Sequence, residues 1–516
     1  MAGGHSQAKA DLSAWLAVAA GMIGSLMATL DISIVNSSLP VIQGEIGASG
    51  SEGTWVATAY LVAEIIVIPL TAWLERVFGL RTLLLGAVTL FVSFSMLCGF
   101  SDDLATMIIG RVGQGFSGGI MIPTGMTIIA TRLPPAQQPI GTAAFGATAI
   151  LGPVVGPLIG GWLTENLSWH YNFFINLPIG VLLVILLLVG LKHEKRNLDQ
   201  LINADWLGIA GLALGLGGLT VVLEDGHRDM WFESPTIVAM TVLSGVGFLL
   251  LTIGQFTARR PVIKLALLFN RAFGSVVIVS LALGAVLYGV AFVIPQFLTA
   301  VAGYNALQSG QIAAISGVPS LAIMAFVPLL MRYVDVRAAV ALGLAVLATS
   351  CLIDTGLTVD SAGGDLVASQ LLRGAGQILT MIFLNQAAIS AVSTKDAADA
   401  AGLFNVSRNL GGSIGLALLA TLRDQRAYFH ERVLESSISA NGLQGQAFVA
   451  GQAAASGGGP EGQREGLIQL TQMISQQALV MTYADVFFVV GVGILVVLPL
   501  AFVLRPIRSG QPMAMH

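Results

Sequence analysis

Charge is scarce in this sequence: Asp, Glu, Lys and Arg together make 10% of its 516 residues, against about a quarter in a soluble domain. That shortage argues against a water-soluble globular chain. The net charge of −4 says nothing about partners, but no basic stripe of the kind a nucleic-acid partner requires is present. Cysteine is nearly absent. Cys98 and Cys351 both fall within apolar runs, where a lone thiol packs as a small hydrophobe, so neither a disulfide framework nor a metal site is expected. Histidine is thin too, and His193, His227 and the others are scattered through tails and loops. No HExxH pair, G-x-S-x-G elbow or Walker-type phosphate loop occurs, which argues against an enzyme, a cofactor or a nucleotide-driven pump.

What the sequence does have is apolar length. Hydrophobic residues make 55% of the chain and the mean hydropathy is +0.83. Runs of about 20 residues, each able to cross roughly 30 Å of hydrocarbon, follow one another almost without pause. Read from polar break to polar break, they predict an all-α integral membrane protein with about fourteen spans. These lie near 14–38, 54–74, 82–100, 104–131, 140–162, 173–191, 205–223, 236–256, 272–300, 308–331, 338–354, 365–392, 398–421 and 480–504. The first run is long and lacks a small-residue cleavage site, so it reads as a retained span.

An even count puts both termini on one side, and positive charge says which. With the N-terminus inside, the inner loops hold Lys9, Arg76, Arg81, Arg132, Lys192, Lys195, Arg196, Arg259, Arg260, Lys264, Arg271, Arg332, Arg337, Lys395, Arg505 and Arg508. The outer loops hold only Arg228, Arg423, Arg426, Arg432 and Arg464, four of them in one long segment, 422–479. Both termini are therefore expected in the cytoplasm.

Arg111, Arg373 and Arg408 have no loop to go to. An ionisable group in hydrocarbon costs from about 2.5 kcal/mol upward and by default faces a cavity or a partner. Arg111 and Asp31 each lie roughly 10 Å from the outer surface, which permits an ion pair. Glu64 lies about 15 Å from either surface. A carboxylate there suits a proton-coupled transporter, since it can take up and release a proton; a Glu that stays protonated and bonds a neighbouring helix is the plainer reading.

In the thirteenth span, "LFNVSRNLGGSIGLALL" places Asn405, Arg408, Asn409 and Gly412 on one helical face, a polar stripe that lines a bundle interior or glues helices together. Gly411 and Gly415 on the adjacent side admit a second helix. In the fifth span, "GPVVGPLIGGW" carries Gly152, Gly156 and Gly160 at every fourth position, so that one face lacks side chains. Pro153 and Pro157 remove backbone donors and bend the same helix.

Taken in order, these motifs resemble the major facilitator superfamily, in particular its fourteen-helix drug:proton antiporter branch of EmrB/QacA type. "LDISIVNSSLP" (30–40) is similar to the branch's first-helix signature, "RVGQG" (111–115) to the fourth-helix motif and "GPVVGPLIGG" to the fifth-helix antiporter motif. "FFINLPIG" (173–180) is similar to the start of the sixth helix and "RNLGGSIG" (408–415) to a late-helix pattern. "LLRGAGQ" (371–377) looks like a faint C-half echo of the Arg111 motif.

The resemblance implies two pseudo-symmetric six-helix bundles, 14–191 and 272–504, with two extra helices and a cytoplasmic linker in 192–271 and cytoplasmic tails 1–13 and 505–516. Substrate would bind near the bilayer midplane, and the halves would rock for alternating access. It assigns proton coupling to Asp31 and Arg111, with Gln114 as a polar companion, and the antiporter motif to Gly152, Pro153, Gly156, Pro157, Gly160 and Gly161. Glu64 joins the coupling candidates by its depth, and Asn36, Gln114, Arg373, Gln377, Asn405, Arg408 and Asn409 are candidate cavity-lining positions by their place in the spans. The motif is expected to seal the outer end of the interface between the halves.

The cytoplasmic gate would hold Glu75, Arg76, Gly79 and Arg81, with one departure. The branch usually reads G-x-L-A-D-R-x-G-R-R, whereas here "AWLERVFGLR" puts Arg76 at the acidic position and Glu75 one place earlier. Either Glu75 substitutes, or this gate is held differently. The long outer segment 422–479 reads as an adaptor-docking surface or as a solvated connection with two short helices, and "RRPVIKLALLFNR" as an interfacial helix.

The expectation is a proton-driven exporter of small amphipathic or hydrophobic compounds in the bacterial inner membrane, working with a periplasmic adaptor and an outer-membrane channel where the outer loop docks one. A dedicated exporter of one metabolite class, such as a fatty acid, bile salt or self-made compound, remains open. A receptor that no longer transports would be expected to lose its membrane carboxylates.

Overall fold

The computed structural model describes residues 10–194, 196–202, 204–258, 261–437, 442–455 and 457–504. Lys9, Lys195, Arg259, Arg260, Arg505, Arg508 and the outermost parts of both tails lie outside them. Among the described residues no strand occurs, and twelve helices are long and apolar enough to cross a membrane.

In chain order the long helices are α1 (Leu12–Glu45), α2 (Trp55–Phe78), α3 (Leu80–Gly99), α4 (Leu104–Arg132), α5 (Gln138–Asn166), α6 (Tyr171–Gly190) and α7 (Trp206–Asp225). They continue as α8 (Pro235–Thr257), α9 (Arg271–Ala300), α10 (Leu307–Tyr333), α11 (Val336–Asp354), α12 (Val367–Ser390), α13 (Ala397–Ser437) and α14 (Gly459–Val503). Each predicted span falls on one of them. The two outside the twelve, α4 and α13, are 29 and 41 residues long; α4 is glycine-rich and α13 carries charges beyond its apolar stretch.

Local sequence sets the ends. Asp11, Asp103 and Asp205 each accept a hydrogen bond from the backbone N–H three residues on (Ala14, Thr106 and Gly208), satisfying a donor that the helix start would leave open. Gly79, at φ +76°, supplies the left-handed residue that separates α2 from α3.

Short connections make successive helices antiparallel, so the bundle has a first end, where α1 begins, and a second, where it ends. Helices α1–α6 pack together as one half and α9–α14 as the other. Helix α8 packs almost wholly on α7, whereas α7 also touches α2 and α13 and so bridges the halves. Helices α9 and α13 approach closely because Gly284, Gly411 and Gly415 leave no side chain between them; a Cβ on Gly415 would lie 2.5 Å from the Ala285 carbonyl oxygen.

Two segments differ from expectation. The outer segment 422–479 is not a loop with two short helices: α13 runs on to Ser437, α14 starts at Gly459, and a further helix, Leu443–Ala455, packs on α14. Polar residues with good helix propensity extend both spans beyond their apolar portions. The linker before α9 forms only a five-residue 3₁₀ turn, Leu265–Phe269, because Asn270 already caps the next helix by accepting from Ala272 N–H.

Candidate functional site

Five helices of the first half converge on one buried charge pair. Arg111 of α4 donates from Nη1 to Asp31 Oδ2 of α1 at 2.6 Å, and both side chains are at most 1% exposed. The spacing of "RVGQG" turns Gln114 to the same side, where Nε2 donates to Asp31 Oδ1 at 3.0 Å and Oε1 accepts from Arg111 Nη1 at 3.1 Å. From α6, Asn176 Nδ2 reaches Asp31 Oδ1 at 2.7 Å and Ser95 Oγ of α3 at 2.9 Å. Arg111 Nε donates to the Val56 carbonyl at 2.9 Å, and its guanidinium lies 4.3 Å from the centre of the Tyr60 ring on α2. Asp31 thus accepts from three donors, the arrangement a buried charge needs.

Glu64 is not hydrogen-bonded into this knot. It is 2% exposed, at mid-length of α2, a helix that touches α13 of the other half, and Arg408 and Asn409 of α13 lie close enough to act on its charge. Tyr288 of α9 joins the cluster, its hydroxyl 3.5 Å from Asn409 Oδ1. From α7, Glu224 Oε1 accepts from Ser413 Oγ of α13 at 2.5 Å, while Asp225 Oδ1 accepts from Thr58 Oγ1 of α2 at 3.4 Å. An acid pair on the extra helix therefore touches both halves.

The remaining lining candidates are dispersed. Asn405 is fully buried, bonding the Ala401 carbonyl at 2.8 Å and lying 3.8 Å from Met126 Sδ of α4. Asn36 is exposed and Gln377 half-buried. Arg373 is engaged in an ion pair of its own, Nη2 to Asp354 Oδ2 of α11 at 2.6 Å. It stands six residues into α12, as Arg111 stands seven into α4, so the faint sequence echo corresponds to a second buried pair in the other half.

The glycine face of α5 packs within its own half. A Cβ on Gly152 would lie 2.5 Å from Thr29 Oγ1, one on Gly156 would strike the Ser33 side chain, and one on Gly160 would lie 2.6 Å from Ser37 Oγ, all on α1. Gly161 has open space beside it. The neighbouring face, with Val154 and Pro157, meets Gly317 and Gly310 around α10 of the other half. So the smooth face serves the α1 contact, and the residues between the glycines meet the other half.

The gate is held differently. Arg76 crosses to α13 and grips Asp399 with Nη1 at 3.2 and 3.1 Å from its two carboxylate oxygens. Lys264 bonds Asp396 at 2.6 Å and Asp399 at 3.2 Å. The cation sits on the first half and the acid on the second, so polarity across the seam is set by Arg76 and Asp399. Glu75 makes no ion pair among the described residues, and its buried Oε2 has no hydrogen-bond partner. Beside Gly79, Glu194 accepts from Leu80 N–H at 3.0 Å and from Arg132 at 3.1 Å. Arg81 lies away from the seam, in a groove with His193 and Arg196.

Sequence reading missed Tyr60, Ser95, Asn176, Glu224, Asp354 and Asp399. Asn176 stood inside "FFINLPIG", and Asp354 is an acid at the end of an apolar run; both were visible signals.

The profile of the Major Facilitator Superfamily matches residues 21–416. The chain is 33% identical over 427 residues, 83% of each chain, to "Colistin resistance protein EmrB" of Acinetobacter baumannii. It is 30% identical over 488 residues, 94% of each chain, to "Multidrug export protein EmrB" of Escherichia coli. "Fatty acid resistance protein FarB" of Neisseria gonorrhoeae is 28% identical over 96% of each chain. Among solved structures, the human organic anion transporter MFSD10 superposes with a TM-score of 0.58 at 15% identity, covering 93% of this chain and 99% of that one. The proton:xylose symporter XylE gives 0.57 at 14%, covering 81% and 90%. With two helical halves, a seam between them and a family profile matching most of its length, this multi-pass membrane protein belongs to the major facilitator superfamily.

Proposed function

We propose that this chain is a proton-coupled exporter of amphipathic and hydrophobic compounds in the bacterial inner membrane, with its first end in the cytoplasm. The observation that carries the reading is Glu64: a carboxylate at mid-membrane depth, placed on the seam against Arg408 and Asn409. Unprotonated, it attracts Arg408 and holds α2 to α13; a proton cancels that attraction and lets the halves part. Asp31, held by three donors within one half, serves as the fixed counter-ion of Arg111. The relatives' names supply the substrate class.

The proton gradient suffices as the energy source. One charge moving down about 150 mV yields roughly 3.5 kcal/mol, equivalent to a concentration ratio of a few hundred, at about 1.4 kcal/mol per tenfold. Past the membrane, α13 and α14 expose Tyr428, Phe429, Val433, Leu467, Ile468 and Met473, an apolar surface suited to a periplasmic adaptor leading to an outer-membrane channel.

The test is proton release from liposome-reconstituted protein on adding ethidium, in wild type, Glu64→Gln, Asp31→Asn and Arg111→Ala. Release in wild type and its loss in Glu64→Gln, with ethidium still bound, is the expected result. Undiminished release from Glu64→Gln would remove that residue from the mechanism, and no release from wild type with binding intact would sink proton coupling. A second reading, export of one class of anionic amphiphile, is favoured by the likeness to FarB and by the buried Arg408. Release triggered by a fatty acid and not by ethidium would select it.

A further inference from the structure

At the first end, on the outside of the first half, the start of α3 and the segment after α6 enclose an open groove of about 730 Å³. Two arginines and a histidine rim it: Arg81 at the second position of α3, and His193 and Arg196 beyond the end of α6. Among the described residues no carboxylate lines the groove or pairs with these three. Glu194, the neighbouring acid, is committed to Arg132 and to the Leu80 N–H. The polar rim continues into an apolar wall. Leu85, Gly86 and Leu90 follow Arg81 down one side of α3, over about 13 Å at 1.5 Å per residue. This wall is on the outer surface of the bundle, where Leu90 is 45% exposed and a Cβ on Gly86 would meet nothing within 4 Å.

We propose that this groove binds an anionic phospholipid, the phosphodiester against Arg81, His193 and Arg196 and an acyl chain along Leu85, Gly86 and Leu90. Three arguments select that occupant. Unpaired cations at the end of a membrane span are complementary to a phosphate. The absence of a lining acid leaves nothing to receive the ammonium of a zwitterionic headgroup, which favours a net negative one such as phosphatidylglycerol. The apolar wall runs into the hydrocarbon layer, where a free phosphate has no use for it. The lipid ties the start of α3, just after the Gly79 break, to the chain leaving α6.

The test uses the full chain, delipidated in detergent, with bound phosphatidylglycerol and phosphatidylcholine counted by native mass spectrometry. The variants are the double substitution Arg81→Gln with Arg196→Gln, which removes charge, and Gly86→Phe, which fills the wall and leaves the charges alone. Arg332→Gln, at the same end of the other half, is the control. Phosphatidylglycerol should be retained at least tenfold better than phosphatidylcholine and lose about that preference in both test variants. The control should match wild type, and glycerol phosphate should not compete. Equal retention of the two lipids overturns the proposal. So does an unaffected double variant. Competition by glycerol phosphate together with an unaffected Gly86→Phe would show a bare phosphate site. Because the two variants alter different walls, monodisperse elution of either one keeps the test decisive.

Discussion

Asp31 accepts from Arg111, Gln114 and Asn176 in a buried site, and such a knot is worth most when it is broken from one side only. Arg111→Ala leaves a buried carboxylate without its cation and should cost about 3–5 kcal/mol, measurable as a lower melting temperature in detergent. Asp31→Asn combined with Arg111→Gln removes both charges and should recover part of that loss; a double variant no better than Arg111→Ala would show that the pair is not the stabilising element. The pairing was legible because a charge in hydrocarbon must find a partner and both residues sat at one depth. Asn176 and Ser95 were not, because neutral polar side chains carry no such obligation and the sequence does not say that α3 and α6 meet.

At the scale of helices, α5 shows how a motif can be read correctly as a shape and incompletely as a contact. The fourfold glycine spacing predicts a smooth face, but only packing reveals that α1 occupies it. Gly156→Val pushes a side chain into Ser33 and should destabilise the protein by about 1–3 kcal/mol, as overpacking does. Gly161→Ala meets open space and replaces a poor helix former with the best one, so it should be neutral or raise stability by up to about 1 kcal/mol. Melting curves of the two purified variants check both; equal effects would refute the assignment of the packed face. Ahead of α13, the hydrogen bond from Lys264 holds the Asp396 carboxyl below its ordinary value of 3.8. A depressed carboxylate contributes stability above its unfolded-state pKa and loses it as pH falls through the folded value. Asp396→Asn should therefore be less stable than wild type at neutral pH, the difference shrinking as pH falls below about 4 and vanishing once pH is below the lowered folded value, in an acid unfolding series.

For the whole molecule, what matters is how the halves are held together, and this was the least legible level. Span count and order follow from apolar length, but Arg76 and Asp399 are 323 residues apart in the chain, and no local pattern links them. The sequence showed only that the usual acid was missing from the gate. The structure shows the cation on α2 and the acid on α13, with Gly402 packed on the Ile68 carbonyl and Pro69 nearby, so the halves touch at the first end. Asp399 is 1% exposed at its side chain and Arg76 36%, so the pair has one screened partner and one desolvated partner. Removing Arg76 would leave Lys264 to neutralise Asp399, whereas reversing it in Arg76→Glu sets two acids face to face and should open the first end. Spin labels on the end of α2 and the start of α13 should then report a longer distance in Arg76→Glu than in wild type. Adding Asp399→Arg restores opposite charges in reversed order and should bring the distance back. Restoration identifies the pair as the latch; a double variant as open as the single one assigns closure to the helix packing around Gly402.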